Sequence, residues 1–142
     1  EPFLISSTLT AVIAQRLVRV LCEDCKEEEA TEDGMRERIK GFLGRLSPRV
    51  RRERYEDFKI FKPKGCGGCR SFGFRGRTGI FELFRVDEKM EELIYKNPTE
   101  IDLKKYAKEQ GMVTMQEDGI LKVLLGITSF SEVERMTGRI EW

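Results

Sequence analysis

Apolar residues early in the chain fall at Leu9, Val12, Ile13, Leu17, Val20 and Leu21, and this spacing predicts a helix that delivers Cys22 at its end. Ser6, Ser7 and Thr8 offer N-cap side chains just before it, and Phe3-Leu-Ile reads as the end of a strand or a buried entry. Residues 23–33 lack an apolar stripe and read as an acidic, exposed loop. Met35, Ile39, Phe42, Leu43 and Leu46 then form a second helical face, with Asp33 as cap and Ser47-Pro48 as stop. Phe58–Lys62 is a short strand candidate closed by Pro63, and Ile80–Val86 is a mostly apolar one.

From Asp87 onward the pattern is helical. Met90, Leu93 and Ile94 mark one helix, followed by Pro98. Thr99 with Asp102, Thr114 with Glu117 and Ser129 with Glu132 have the spacing of capping boxes. Gly111, Gly126 and Gly138 stand where helix C-caps belong. The expectation is an α+β fold dominated by helices and ending in a bundle of short ones.

Charge changes this picture. The 142 residues carry 26 Lys and Arg against 25 Asp and Glu, a net of +1 that excludes a uniformly basic nucleic-acid binder. The balance is a cancellation. Residues 23–33 hold a net of −6, residues 45–77 a net of +8 and residues 87–142 a net of −4. Within the basic stretch, Arg49, Arg51, Arg52 and Arg54 lie close to Tyr55, Phe58 and Phe61, as on a nucleic-acid surface or a face for an acidic partner. No apolar run reaches the ~18 residues of a membrane span, and no signal segment opens the chain. The chain starts at Glu1 without Met, as expected of a piece of a longer protein.

All four cysteines lie in or beside the basic module, as Cys22-Glu-Asp-Cys25 and Cys66-Gly-Gly-Cys69. Two residues between thiolates let one turn present both to a single ion, and two such turns complete a tetrahedron with no open position. Cys22, Cys25, Cys66 and Cys69 are therefore candidate ligands of one structural zinc. Lys26, Lys64 and Arg70 adjoin them and could offset the thiolate charge, while Gly67 and Gly68 could let backbone N–H groups approach the sulfurs. Two disulfides, inert buried thiols and a redox pair are the other readings. The 40-residue spacer exceeds the roughly 15–20 residues of a zinc ribbon, so the metal would clip two distant loops together. No phosphate-binding P-loop, dinucleotide fingerprint or nucleophile elbow occurs, the absence of His removes His-based catalysis and His-containing zinc sites, and no Asp or Glu pair stands out as a dyad, so the sequence assembles no active site within this chain.

Three blocks carry a family resemblance. They are the run from Phe3 to Cys25 containing Gln15 and Arg16, the run Lys64-Gly-Cys-Gly-Gly-Cys-Arg-Ser-Phe-Gly-Phe-Arg-Gly-Arg77-Thr-Gly-Ile-Phe-Glu82-Leu, and Gly111–Val123 followed by Gly126–Val133. Together they resemble the C-terminal end of the zinc-containing type II secretion and type IV pilus assembly ATPases. The resemblance implies a cytoplasmic homo-hexameric motor, peripheral to the bacterial inner membrane. It would bind the inner-membrane platform and cytoplasmic assembly proteins of the machine. A RecA-like domain would use ATP and Mg, and its P-loop, acidic and His boxes and arginine fingers would lie upstream of Glu1. This chain alone would then be inactive. Residues 1–21 would end the RecA-like core, 22–86 would form the tetracysteine zinc-binding subdomain and 87–142 a helical subdomain. The four cysteines match the family's zinc ligands. Gln15, Arg16, Arg77 and Glu82 match recurring positions, for which hydrogen bonding or ion pairing in the core is the plainer expectation. The competing possibility is a stand-alone zinc-ribbon-like module for nucleic acid.

Overall fold

The structure is a computed structural model and describes residues 8–142, so the readings placed on Phe3–Ile5, Ser6 and Ser7 lie outside it. The first element is a strand, β1 (Ala11–Leu21), where the apolar spacing predicts a helix. It pairs antiparallel with β4 (Phe74–Arg85), from Ala11 opposite Arg85 to Leu21 opposite Phe74. The correction has a physical reason. Val12, Ile13, Val18 and Val20 are β-branched and stiff at χ1, which favours a pleated surface once a partner strand is available. β4 also begins six residues before the expected Ile80, at Phe74. The register shifts between Arg19 and Leu21, where β4 carries an extra residue.

The two faces of this ribbon differ. Val18 and Ile80 are fully buried on one, while Ile13, Leu17, Phe81 and Leu83 stand exposed on the other. The edges are held by side chains and loops. The Phe81 N–H donates to Asp118 Oδ2 at 2.8 Å, and at the far end of β1 the Leu21 N–H donates to the Ile127 carbonyl at 2.8 Å.

The acidic segment contains a second strand, β2 (Glu27–Glu29), paired antiparallel with β3 (Ile60–Lys62). Between them lies α1 (Asp33–Arg45), which turns Ile39, Phe42 and Leu43 inward. Asp33 is its first helical residue rather than its cap. Glu32 takes the cap position and makes no side-chain capping bond.

Four helices follow: α2 (Glu88–Tyr95), α3 (Glu100–Glu109), α4 (Met115–Leu124) and α5 (Phe130–Thr137). Thr99 with Asp102 and Thr114 with Glu117 form reciprocal capping boxes. The third box is half made. Ser129 accepts the Glu132 N–H, but the Glu132 carboxylate turns to Arg19 and Arg135 instead. Gly111, Gly126 and Gly138 sit with positive φ at the ends of α3, α4 and α5, as expected.

The larger core joins Ile39, Phe42, Leu46 and Ile60 to Ile120, Val123, Leu124 and Val133. A smaller one gathers Val86, Met90, Ala107 and Met112, with Val12 and Phe84 packed against it. No helix among the described residues is long and apolar enough to cross a membrane.

Candidate metal centre

Two short turns build the cysteine cluster. The first follows β1 directly: the Cys25 and Lys26 N–H groups both return to the Cys22 carbonyl, at 3.2 and 2.9 Å. The second is a 3₁₀ turn over Gly67–Cys69, with the Ser71 N–H donating to the Cys66 carbonyl at 2.8 Å. Arg70 and Ser71 take left-handed φ values of 53° and 64°, which folds the chain sharply behind the sulfurs. A main-chain bond from the Cys22 N–H to the Gly73 carbonyl, 3.0 Å, locks one turn to the other.

Gly65 and Gly73 are the residues this geometry requires. Both have positive φ, 106° and 75°. A Cβ on Gly65 would lie 2.7 Å from the Ser71 carbonyl oxygen, and one on Gly73 would lie 2.5 Å from Pro63 Cβ. Any side chain there would force the two arms of the second turn, Pro63–Gly65 and Ser71–Gly73, apart.

All four Sγ atoms lie within 4.8 Å of one another. Cys22 and Cys66 are 4.0 Å apart, Cys25 and Cys69 3.8 Å, and Cys66 and Cys69 3.7 Å. A tetrahedron with metal–sulfur bonds of about 2.3 Å has sulfurs about 3.8 Å apart. The cluster thus has the size of a tetrathiolate site. These separations are also far beyond the ~2.05 Å of a disulfide, and all four cysteines are free.

The electrostatics agree. Burial pushes the Cys22 and Cys25 thiols up, Cys25 to about 12. Burial opposes ionisation of Cys69 as well, but the N–H groups of Cys66 and Gly73, each 3.2 Å from its sulfur, outweigh it and bring the thiol down to about 6. The Cys69 thiolate thus sits beside two thiols that burial keeps protonated, and four negative charges this close would need a cation between them. A soft divalent ion of tetrahedral habit satisfies that demand.

The neighbours act differently from the sequence expectation. The N–H donors to Cys69 come from Cys66 and Gly73, rather than from Gly67 or Gly68. Lys64 pairs with Glu27 and lies within electrostatic reach of Cys25. Lys26 pairs with Glu23, donates to the Gly126 carbonyl at 3.0 Å and lies over the Phe61 ring. Among the other positions singled out, Glu82 accepts the Met115 N–H at the start of α4, at 3.2 Å. Gln15, Arg16 and Arg77 are exposed on the ribbon, and no described residue hydrogen-bonds or ion-pairs with their side chains.

Comparison with known proteins places this geometry in context. A family described as "Type II/IV secretion system protein" matches residues 1–135. The chain is 39% identical over 137 residues to the type II secretion system ATPase E of Vibrio cholerae, covering 96% of the chain and 25% of that relative. It is 39% identical over 137 residues, with the same shares covered, to the type II secretion system protein E of Pseudomonas aeruginosa. It is 37% identical over 133 residues to the type IV pilus assembly ATPase PilB of Thermus thermophilus, covering 94% of the chain and 14% of that relative. The chain thus spans about a quarter or less of the length of these relatives.

Proposed function

Because the chain belongs to the type II/IV secretion system protein family, we propose that it is the C-terminal region of a motor ATPase that powers type II secretion or type IV pilus assembly. The match of residues 1–135 to that family is the observation that carries this reading. In it, residues 1–21 continue a RecA-like core, 22–86 form the zinc-binding subdomain and 87–142 the helical subdomain. The bare ribbon face with Ile13, Phe81 and Leu83 packs against the remainder of that core. ATP and Mg bind there, and six copies assemble beside the inner membrane, in the cytoplasm, against a platform protein.

Zinc is held by Cys22, Cys25, Cys66 and Cys69, with no position left for substrate, so it is structural. Its work is mechanical. The clip fixes the end of β1 to the start of β4 and so stiffens the lever formed by the terminal region. Replacing Cys66 and Cys69 with Ser in the full-length parent is expected to lower assembly activity more than ATP binding. Equal losses of both would point to global unfolding and sink the lever idea. The chain joined to its upstream core is expected to hydrolyse ATP, and the chain alone is not. Salt-sensitive binding of duplex or single-stranded nucleic acid by the chain alone would favour the nucleic-acid module instead.

A further inference from the structure

Lys26 follows the first cysteine pair directly, yet none of its side-chain hydrogen bonds goes to a sulfur. Its ammonium donates to Glu23 Oε1 at 2.8 Å and to the Gly126 carbonyl at 3.0 Å. It also lies 4.8 Å from the centre of the Phe61 ring. An ammonium has three N–H donors, so these partners occupy it fully. The side chain is only 16% exposed.

Gly126 stands a hundred residues further along, just past the C-cap of α4. Its carbonyl lies at the negative end of that helix, where a cation is favoured. Its φ is 69°, and a Cβ there would lie 3.0 Å from the Phe61 ring and 3.6 Å from Lys26 Nζ. The next carbonyl, that of Ile127, accepts the Leu21 N–H at 2.8 Å. Consecutive carbonyls of the α4–α5 turn therefore hold Leu21, just before Cys22, and Lys26, just after Cys25. The buried Thr128 hydroxyl adds a bond to the Arg19 carbonyl at 2.8 Å.

We infer that Lys26 couples the metal site to the α4–α5 turn: a filled site orders the turn around Gly126, and the ordered turn raises the affinity of the site for metal. The Lys26 N–H closes the cysteine turn on the Cys22 carbonyl at 2.9 Å. Ligation fixes that backbone, and with it the base from which the side chain reaches Gly126. Without ligation the long side chain is ordered at its own entropic cost. The coupling is reciprocal, as any linkage of two equilibria is. It rests on the reading of the cluster as a zinc site.

Zinc affinity of the chain, measured by chelator competition, and hydrogen exchange with and without zinc test it together. Lys26→Met keeps the apolar stem and should bind zinc about tenfold more weakly. Lys59→Met removes the same charge from an exposed pair and should change little. Lys26→Arg should return to within about threefold of the parent chain. Gly126→Ala disturbs the link from its far end and should also weaken zinc binding. Combined with Lys26→Met it should add less than its own full effect, since both break one connection. Zinc should slow exchange of the Gly126 and Ile127 N–H groups in the parent chain and no longer do so in Lys26→Met. If the parent chain binds no zinc, the coupling falls together with the zinc reading. The coupling alone falls if zinc binds but Lys26→Met matches Lys59→Met, if zinc still slows exchange at Gly126 and Ile127 in Lys26→Met, or if the two substitutions add in full.

Discussion

Both carboxylate oxygens of Glu132 meet positive partners, Arg19 on one side and Arg135 on the other, in a pocket closed to water. Burial alone would raise this carboxyl, but the two guanidiniums and the Arg19 N–H hold it down at about 2, well under its ordinary 4.5. A carboxylate depressed in the folded state stabilises the fold fully above its unfolded value. That stabilisation fades as pH falls through the folded value. Melts of the chain should therefore lose stability between about pH 4.5 and 2. Glu132→Gln should flatten that acid limb and cost on the order of 2 kcal/mol at pH 7, the half-exposed arginines moderating the loss. Cys69 titrates under a different cause, two backbone donors. Since Cys25 rests near 12 and Cys22 is also raised by burial, both carry their protons at pH 7.5, while Cys69, near 6, does not. Zinc uptake at that pH should release at least the two protons of Cys22 and Cys25, read from calorimetry in buffers of different ionisation enthalpy. Affinity should fall as the pH drops.

Among the elements, β1 shows what local pattern reading can miss. Its apolar positions satisfy a helical stripe as well as an alternating one. The deciding partner, β4, lies more than fifty residues away in sequence. Capping boxes at Thr99 and Thr114 were legible because both halves sit within one turn. The box at Ser129 reads the same way, yet its Glu132 is claimed by an arginine 113 positions earlier, which no local window contains. The cysteine cluster was legible for the opposite reason: C-x2-C spacing is itself the chemistry. The glycine-dense stretch did carry the sign of Gly65 and Gly73, though nothing in it said which glycines pack against the opposite arm of their own turn. The strand assignment has a direct check. Val18→Ala should cost about 2 kcal/mol in denaturant unfolding, since Val18 is fully buried. Ile13→Ala, on the exposed face, should stay within about 0.5 kcal/mol.

Across the whole molecule the cysteine clip and the main core are not separate devices. α1 and β3, which lie between the two cysteine pairs, contribute Ile39, Phe42 and Ile60 to the same core as α4 and α5. The clip closes a loop that the core also closes, so metal removal should loosen the molecule without erasing it. Chelation is expected to remove hydrogen-exchange protection first in residues 22–32 and 58–74. The buried faces of α4 and α5 should hold longer. Uniform loss of protection at one chelator concentration would show instead that the metal is a condition for any fold.

The clip also bears on how such a chain can change over generations. Its two turns are fixed by bonds between themselves, including the Cys22 to Gly73 link, and the mostly exposed stretch around Pro48–Asp57, which touches the core through Val50 and Tyr55, runs between anchored ends. Lengthening a closed loop raises its entropic cost only logarithmically, about 0.6 kcal/mol per doubling. Insertions and deletions in that stretch can therefore accumulate in a lineage while β1 and β4 keep their register. The stretch between α1 and β3 is where descendants of one ancestor are free to diverge in length.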